Sequence, residues 1–473
     1  MLFRWRMGCS IWSSMPKKIV IIGAGAAGLT AASTARECDP EAEIEVFTED
    51  EHIAYSPCAV IYVIEGKIQD FDSIIMHDPR FYEERRNILV HTKTKVIGVD
   101  TDRKSVKLAD GATRTYDAMV LATGGKMWVP PIEGSELDGV FSIKSVSDGK
   151  AIQEAIKGTD SVLIVGAGVI GLMMAIAVRN LGKQALVVEM LPTVIPRIMD
   201  EDMAALVQSH CEEKGIRFVM NAPIEAIKGK GKVESIRAGG KEYPCQMVIM
   251  ATGVRANLEL PNMMGLEIGP LGAVRVSATL QPYKKGRLVK DVYAAGDMIM
   301  CQSAVALGPT MSQLGSSAVR QGRVAGINVS GGYSTYPGAL SPWVTYLGEL
   351  QAAGTGISKA LADYFGIKIV EGKAVGLTKA RYYPGGKSIT TKIIADKETH
   401  RIIGSQIVAG EDVTGRINWL TGAILKGVTV EEFVNSFENA YCPPTSMVKD
   451  VVNQAAEVLM AQFEAERKRT RAL

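Results

Sequence analysis

Cys58 opens a stretch that reads Cys-Ala-Val-Ile-Tyr-Val-Ile-Glu-Gly up to Gly66, and it follows Tyr55, Ser56 and Pro57. The pattern predicts a short helix, with Ser56 able to cap it, Pro57 suited to the first helical position and Gly66 suited to its end. Cys58 then lies in the first turn, where free backbone N–H groups and the positive end of the helix dipole favour a thiolate. A thiolate is the form that attacks sulfur in a disulfide. A packed, inert cysteine would fit the same local pattern, because free cysteines are often buried. The rest of the chain decides between them.

Two glycine loops give that context. Residues 17–22 form an apolar strand that runs into Gly23-Ala24-Gly25-Ala26-Ala27-Gly28 and an alanine-rich helix. In such a loop the first glycine makes the turn, the second lets the backbone approach a pyrophosphate, and the third lets helix pack on strand. The next strand, residues 44–47, ends at Thr48 and Glu49, where an acidic group is expected to hold a ribose hydroxyl. A second copy follows, with a strand at 161–165, the loop from Gly166 through Gly168 to Gly171, and a strand at 185–188 ending in Glu189. Two copies imply two dinucleotides. Glu189 accepts from a 2′-hydroxyl and repels a 2′-phosphate, which favours NADH, while nearby Arg197 leaves NADPH possible.

Other short motifs point to the same cofactors. The strands 118–121 and 247–250 each end in Ala-Thr-Gly, at Thr123-Gly124 and at Thr252-Gly253. Small residues there let the chain leave a sheet beside a bound cofactor. Asp297, after Ala294-Ala295-Gly296, is placed to hydrogen-bond a flavin ribityl chain.

With 473 residues the chain is too long for one core, and 47% hydrophobic content marks it as globular. A formal charge of +2 argues against a broad nucleic-acid-binding surface. The apolar run at 162–178 contains the second glycine loop, so it is a buried strand, turn and helix, with no membrane partner expected. Seven scattered cysteines without metal-ligand pairing point to no metal and to a reducing, cytoplasmic setting. The expected fold is α/β: two Rossmann-like dinucleotide-binding domains, for FAD and NAD, and a C-terminal α+β domain of strands near 374–377, 388–395 and 402–408 with a last helix from Ser446. The expected boundaries are a disordered extension at 1–14, FAD-binding parts at 15–125 and 254–335, an NAD(P)H-binding domain at 126–253 and the last domain at 336–473.

Over residues 16–465 these features together resemble the flavin-dependent pyridine nucleotide-disulfide oxidoreductases. The resemblance implies FAD plus NADH, with NADPH possible, and a homodimer formed by the third domain, whose tail reaches the partner's flavin. Members with a redox-active pair carry Cys-x4-Cys and a C-terminal His-Pro. Here Cys58 is followed by Ile64-Glu65-Gly66 with no second cysteine, and Tyr441-Cys442-Pro443-Pro444 replaces the His-Pro. The chain is thus similar to the single-cysteine branch: coenzyme A-disulfide and persulfide or polysulfide reductases, NADH oxidases and NADH peroxidases. Oxidases and peroxidases place a histidine in the first glycine loop, where this chain has Ala26. The resemblance therefore implies reduction of a small disulfide, persulfide or polysulfide, with Cys58 as the single redox nucleophile. An oxygen-reducing NADH oxidase and a flavin reductase serving a small electron-transfer protein are the alternatives. It further implies sulfur-orienting tyrosines at Tyr441 and, within Tyr382-Tyr383, at Tyr383. Substrate phosphate is expected at Arg36, Arg86 and Lys449. The resemblance does not place Cys442: a tail that crosses to the partner brings its thiol near the other Cys58 as a resolving group, and a packed small residue fits the position equally well. Departures stand at Thr48, where an acidic residue is usual, at Ile61 and Met127, where proline is common, and at Glu37, where some coenzyme A enzymes have a basic residue.

Overall fold

The computed structural model describes residues 15–471, so the extension expected at 1–14 lies outside it. Two parallel sheets carry the glycine loops. In the first, Val292–Ala294, Ala118–Leu121, Lys18–Ile22, Glu43–Phe47 and Leu89–His91 lie side by side in that order. In the second the order is Arg217–Val219, Gln184–Val188, Ser161–Val165, Met247–Met250 and Val140–Ser142. Strands such as Ala118–Leu121 and Met247–Met250 are buried along their whole length, as expected where both faces of a parallel sheet are covered.

The first sheet is completed only after the second has been built, so the chain crosses between them twice. Both crossings follow an Ala-Thr-Gly exit, and they pair with each other as antiparallel strands, Gly125–Met127 with Val254–Ala256. A side chain at Gly125 would collide with Val254 and the Arg255 carbonyl, which keeps this ribbon tight.

On the first sheet, the helices Ala26–Cys38 and Gly315–Val329 pack almost backbone to backbone. A Cβ at Gly322 or Gly326 would strike the carbonyl oxygens of Ala27 or Ala31, so glycine is what permits the approach. This contact brings Arg320 and Arg323 beside the helix of the first glycine loop.

The third unit is an antiparallel sheet, in the order Trp343–Leu347, Leu350–Gly356, Ile402–Ala409, Ser388–Asp396 and Ile369–Leu377. The first hairpin has no counterpart in the expected strands. Its turn is the two-residue Gly348-Glu349, with Gly348 at φ +74°, and Gly354 is small because the Trp343 ring lies over it. The final helix is Val451–Arg471, later than the expected start at Ser446. Residues before it are held by Asp450, whose carboxylate takes the buried Arg416 guanidinium at 2.8 Å and the Val452 N–H at 3.0 Å.

A buried charge cluster joins this unit to the second sheet domain. Lys392 lies 2.9 Å from Asp200, 3.0 Å from Asp202 and 3.1 Å from Glu371, with its side chain only 5% exposed. Lys373 adds 2.8 Å to Asp202. Replacing Lys392 by methionine strands the buried Asp200 carboxylate, and we expect a loss of about 3–5 kcal/mol in denaturant unfolding. Burial works to lower the Lys392 pKa, and the three carboxylates outweigh it and raise the value above the ordinary lysine range. A raised folded-state value means that the stabilisation is complete below the ordinary lysine range, about 10.4. It is lost only as pH rises beyond that range, so this cluster predicts no stability change between pH 6 and 9.

Candidate active site

Each glycine loop divides its residues between the fold and a ligand. A Cβ at Gly23 would meet the carbonyl of Ala122, and one at Gly28 the carbonyl of Gly23; the chain itself forbids both. A Cβ at Gly25 would meet nothing within 4 Å. The second loop repeats this: Gly166 and Gly171 are closed in by Ala251 and Gly166, whereas Gly168 faces open space. The middle glycines thus satisfy no packing need, and a group outside the chain is what fits against them. Gly25 and Gly168 also precede the helices Ala26–Cys38 and Val169–Asn180, neither of which has a side-chain cap or an acidic residue in its first turn. Ala26 is exposed at the start of the first. Free N–H groups and an uncompensated helix dipole at both places suit a pyrophosphate.

Glu189 is buried at 6% exposure, beside the second loop. Its carboxylate accepts from Ala167 N–H at 2.8 Å and Leu191 N–H at 2.9 Å, which fixes its orientation and leaves lone pairs for ribose hydroxyls. Glu49 behaves differently. Its carboxylate leans out to Lys95 at 3.4 Å with the side chain half exposed. The next residue, Asp50, turns back to the Thr48 hydroxyl at 3.4 Å, and desolvation with the neighbouring Glu49 charge raises its pKa. Beside the first loop Thr48 is therefore buried, while Glu49 and Asp50 are both exposed and differ in partner, Lys95 for Glu49 and the Thr48 hydroxyl for Asp50.

Thr123 donates to the Asn257 carbonyl, and Gly124 and Gly253 take φ of +63° and +104° at the two exits. Asp297 follows Gly296, whose N–H is held at 2.8 Å by the buried Gln321. Burial raises the Asp297 pKa, and the Lys144 ammonium opposes the rise. Burial also lowers Lys144, so an acid and a base share this recess.

Cys58 is free and exposed. The helix is Ala59–Ile64, so Cys58 stands immediately before it, one step earlier than expected. The Ser56 carbonyl accepts the Ala59 N–H at 2.9 Å, and Gly66 ends the element at φ +81°. Its inner face, Val60, Ile61, Val63 and Ile64, is buried. Val60 packs against Gly149 of the helix Val146–Lys157, where any side chain would collide with it.

On the C-terminal unit the Tyr441 hydroxyl bonds Tyr382 at 2.5 Å. Tyr382, and not the expected Tyr383, is thus the tyrosine hydrogen-bonded to Tyr441, while the Tyr383 N–H closes a turn onto the Ala380 carbonyl. Cys442 is exposed, and its carbonyl accepts from Thr445 and Ser446. Lys449 is paired with Glu457 at 2.5 Å.

Arg36 is not a phosphate ligand in this arrangement. Its guanidinium donates to the carbonyls of Asp39, Pro40, Ala42, Arg86 and Asn87, which tie the end of its helix to the next strand connection. Arg86 does face a cleft of about 340 Å³, shared with Thr30, Ser33, Glu37, Arg320 and Arg323. Glu37 lies 3.7 Å from Arg86, and among the described residues Arg320 and Arg323 have no ion-pair partner. These two arginines stand three apart on one helix, a spacing that puts them on one face. That spacing was the available signal, but only the helix contact shows which cleft they reach.

Residues 17–322 match the pyridine nucleotide-disulphide oxidoreductase family, and residues 341–451 match its dimerisation domain. The chain belongs to this family. It is an FAD-dependent NAD(P)H oxidoreductase, and the two open-centred glycine loops are where the dinucleotides fit. A relative from Methanocaldococcus jannaschii called an NADH oxidase is 45% identical over 93% of this chain and 98% of its own length. An NAD(P)H coenzyme A polysulfide/persulfide reductase from Pyrococcus horikoshii is 32% identical over 94% of this chain and 99% of its own. Among solved structures, an NAD-dependent persulfide reductase from A. fulgidus superposes with a TM-score of 0.91 at 33% identity, covering 95% of this chain and 84% of that one. Among the described residues no helix is long and apolar enough to cross a membrane.

Proposed function

We propose that the chain is an NADH-dependent reductase of small disulfides, persulfides or polysulfides, coenzyme A-linked ones included, with Cys58 as its single redox thiol. The observation that carries this reading is the free, exposed Cys58 at the helix start, with Val63 where a second cysteine would be. Without a second thiol in the helix, the substrate supplies the other sulfur.

When bound, FAD takes hydride from NADH and makes the electron pair available for sulfur reduction. Cys58 thiolate attacks one sulfur of R–S–S–R′, forming a Cys58–S–S–R bond and releasing R′–S⁻. Two electrons from NADH then cleave that bond, returning the Cys58 thiolate and R–S⁻. Tyr441 and Tyr382 supply hydroxyls for the departing sulfur. Their mutual hydrogen bond raises the Tyr441 pKa further above the neutral range, where the phenol is protonated in any case.

The dimerisation domain supports a homodimer in which Tyr441, Cys442 and Lys449 of one subunit approach Cys58 of the other. Exposed Val375, Val448, Tyr382 and Tyr441 on this unit are the kind of face such an interface covers. The cleft with Arg86, Arg320 and Arg323 is the phosphate site we assign to a coenzyme A-linked substrate. Replacing Arg320 and Arg323 together by alanine is expected to raise KM for coenzyme A disulfide about tenfold or more, from two charge-assisted contacts, and to leave KM for cystine unchanged. The Cys thiols, free in the described residues, suit a reducing cytoplasm.

The relative called an NADH oxidase favours a second reading, oxygen as acceptor. Against it, Ala26 and not histidine stands in the first glycine loop. Mass spectrometry separates the two. Incubation with coenzyme A disulfide should leave one coenzyme A on the Cys58 peptide, and NADH should remove it. Absence of any adduct at Cys58 would discard the sulfur reading.

A further inference from the structure

The loop from Met190 to Met199 follows Glu189 and borders the ribose end of the NADH site. Its backbone is unusual, because Ile195 and Arg197 take φ of +46° and +73°, in the left-handed region that disfavours side chains. Such conformations persist only where surroundings hold them. One hold is local: Ile195 N–H donates to the carbonyl of Ala167, inside the second glycine loop, at 2.8 Å. The others come from the C-terminal unit. Ser358 Oγ donates to the Arg197 carbonyl at 2.8 Å, the Lys359 N–H reaches Asp200 Oδ1 at 2.9 Å, and Gln406 Oε1 accepts from Asp200 N–H at 2.9 Å. Lys392 neutralises Asp200 at 2.9 Å from behind. The loop is thus stretched between the pyrophosphate cradle at one end and the third domain at the other.

We propose that the C-terminal domain sets the geometry of the NADH site through this loop, with Ser358 as a positioning residue. Glu189 and Ala167 share the hydrogen bond that orients the ribose-facing carboxylate, and Ala167 also carries the Ile195 contact. Release of Arg197 from Ser358 lets two strained residues relax, and the relaxation is transmitted to Ala167 and Glu189. Ser358 belongs to the third unit and acts on the nucleotide site through this loop. The inference rests on the second glycine loop as the NADH site and is independent of the sulfur acceptor.

The test is NAD+ binding to the oxidised FAD-loaded enzyme by titration calorimetry, which requires no acceptor. Ser358→Ala is expected to raise the NAD+ dissociation constant about fivefold, the equivalent of one neutral hydrogen bond, and to raise KM for NADH without lowering kcat. Ser358 also caps the helix Lys359–Phe365 by accepting from Leu361 N–H at 3.3 Å. Ser358→Ala therefore also loses a cap, and Thr429→Ala is the control: it removes the side-chain cap of the helix Val430–Ser436 and should lower the thermal midpoint to a similar extent while NAD+ binding stays at the wild-type value. Ser358→Thr should restore both. A dissociation constant within twofold of wild type in Ser358→Ala, with FAD retained, overturns the proposal, as does equal weakening in Thr429→Ala. So does equal weakening in Ser358→Thr.

Discussion

Gly168→Val is expected to weaken NAD+ binding by roughly two orders of magnitude or more, while the protein stays folded with its FAD. A Cβ at this position meets nothing in the chain within 4 Å, so the fold tolerates it. The added methyls instead occupy the space over the start of the helix Val169–Asn180, where two or more N–H groups face the pyrophosphate. Each hydrogen bond to a charged group is worth about 1.5–3 kcal/mol, which sets the size of the loss. Calorimetric titration of the variant, together with its flavin absorbance, reads both parts. Gly171→Val is the control: its Cβ would strike the Gly166 carbonyl, and insoluble or flavin-free protein is expected. Full NAD+ affinity in Gly168→Val would mean that the nucleotide does not lie across this loop.

Cys58→Ser is expected to lower turnover with coenzyme A disulfide by about three orders of magnitude or more, because a serine hydroxyl at neutral pH neither attacks sulfur nor leaves as a thiolate. Cys58 is exposed, makes no capping bond and supports no core packing, so the variant should retain FAD and stability. Reduction of the flavin by NADH, followed by stopped-flow absorbance, should proceed at the wild-type rate. The split between an intact reductive half and a dead oxidative half is the signature of a residue that acts only on the sulfur substrate.

What was legible in the sequence was backbone chemistry. The two glycine loops, the Ala-Thr-Gly exits and Asp297 lie where strand and helix geometry demands small or acidic residues, so type and spacing sufficed. Side-chain partners across the fold were harder to read. Arg36 is a free cation by sequence, but five carbonyls from residues 39–42 and 86–87 converge on it only after folding. Tyr382 and Tyr383 are adjacent and chemically identical, and only the folded chain shows that Tyr382 is the one that meets Tyr441. Glu49 and Asp50 are likewise told apart only by their partners, Lys95 for the first and the Thr48 hydroxyl for the second. Arg320 and Arg323 become part of a cleft because Gly322 and Gly326 let their helix press onto Ala27 and Ala31. The hairpin Trp343 to Gly356 was hidden by glycines that normally weaken strands and here admit a tryptophan ring.

The central claim is that sulfur, through Cys58, is the acceptor. It is tested most directly by anaerobic NADH consumption with coenzyme A disulfide, coenzyme A persulfide, polysulfide and cystine, set beside NADH consumption under air, in wild type and Cys58→Ser. The account predicts that at least one sulfur substrate outruns oxygen in kcat/KM and that its reduction disappears in Cys58→Ser. Rapid NADH consumption under air that survives in Cys58→Ser, with every sulfur substrate inert, would contradict it.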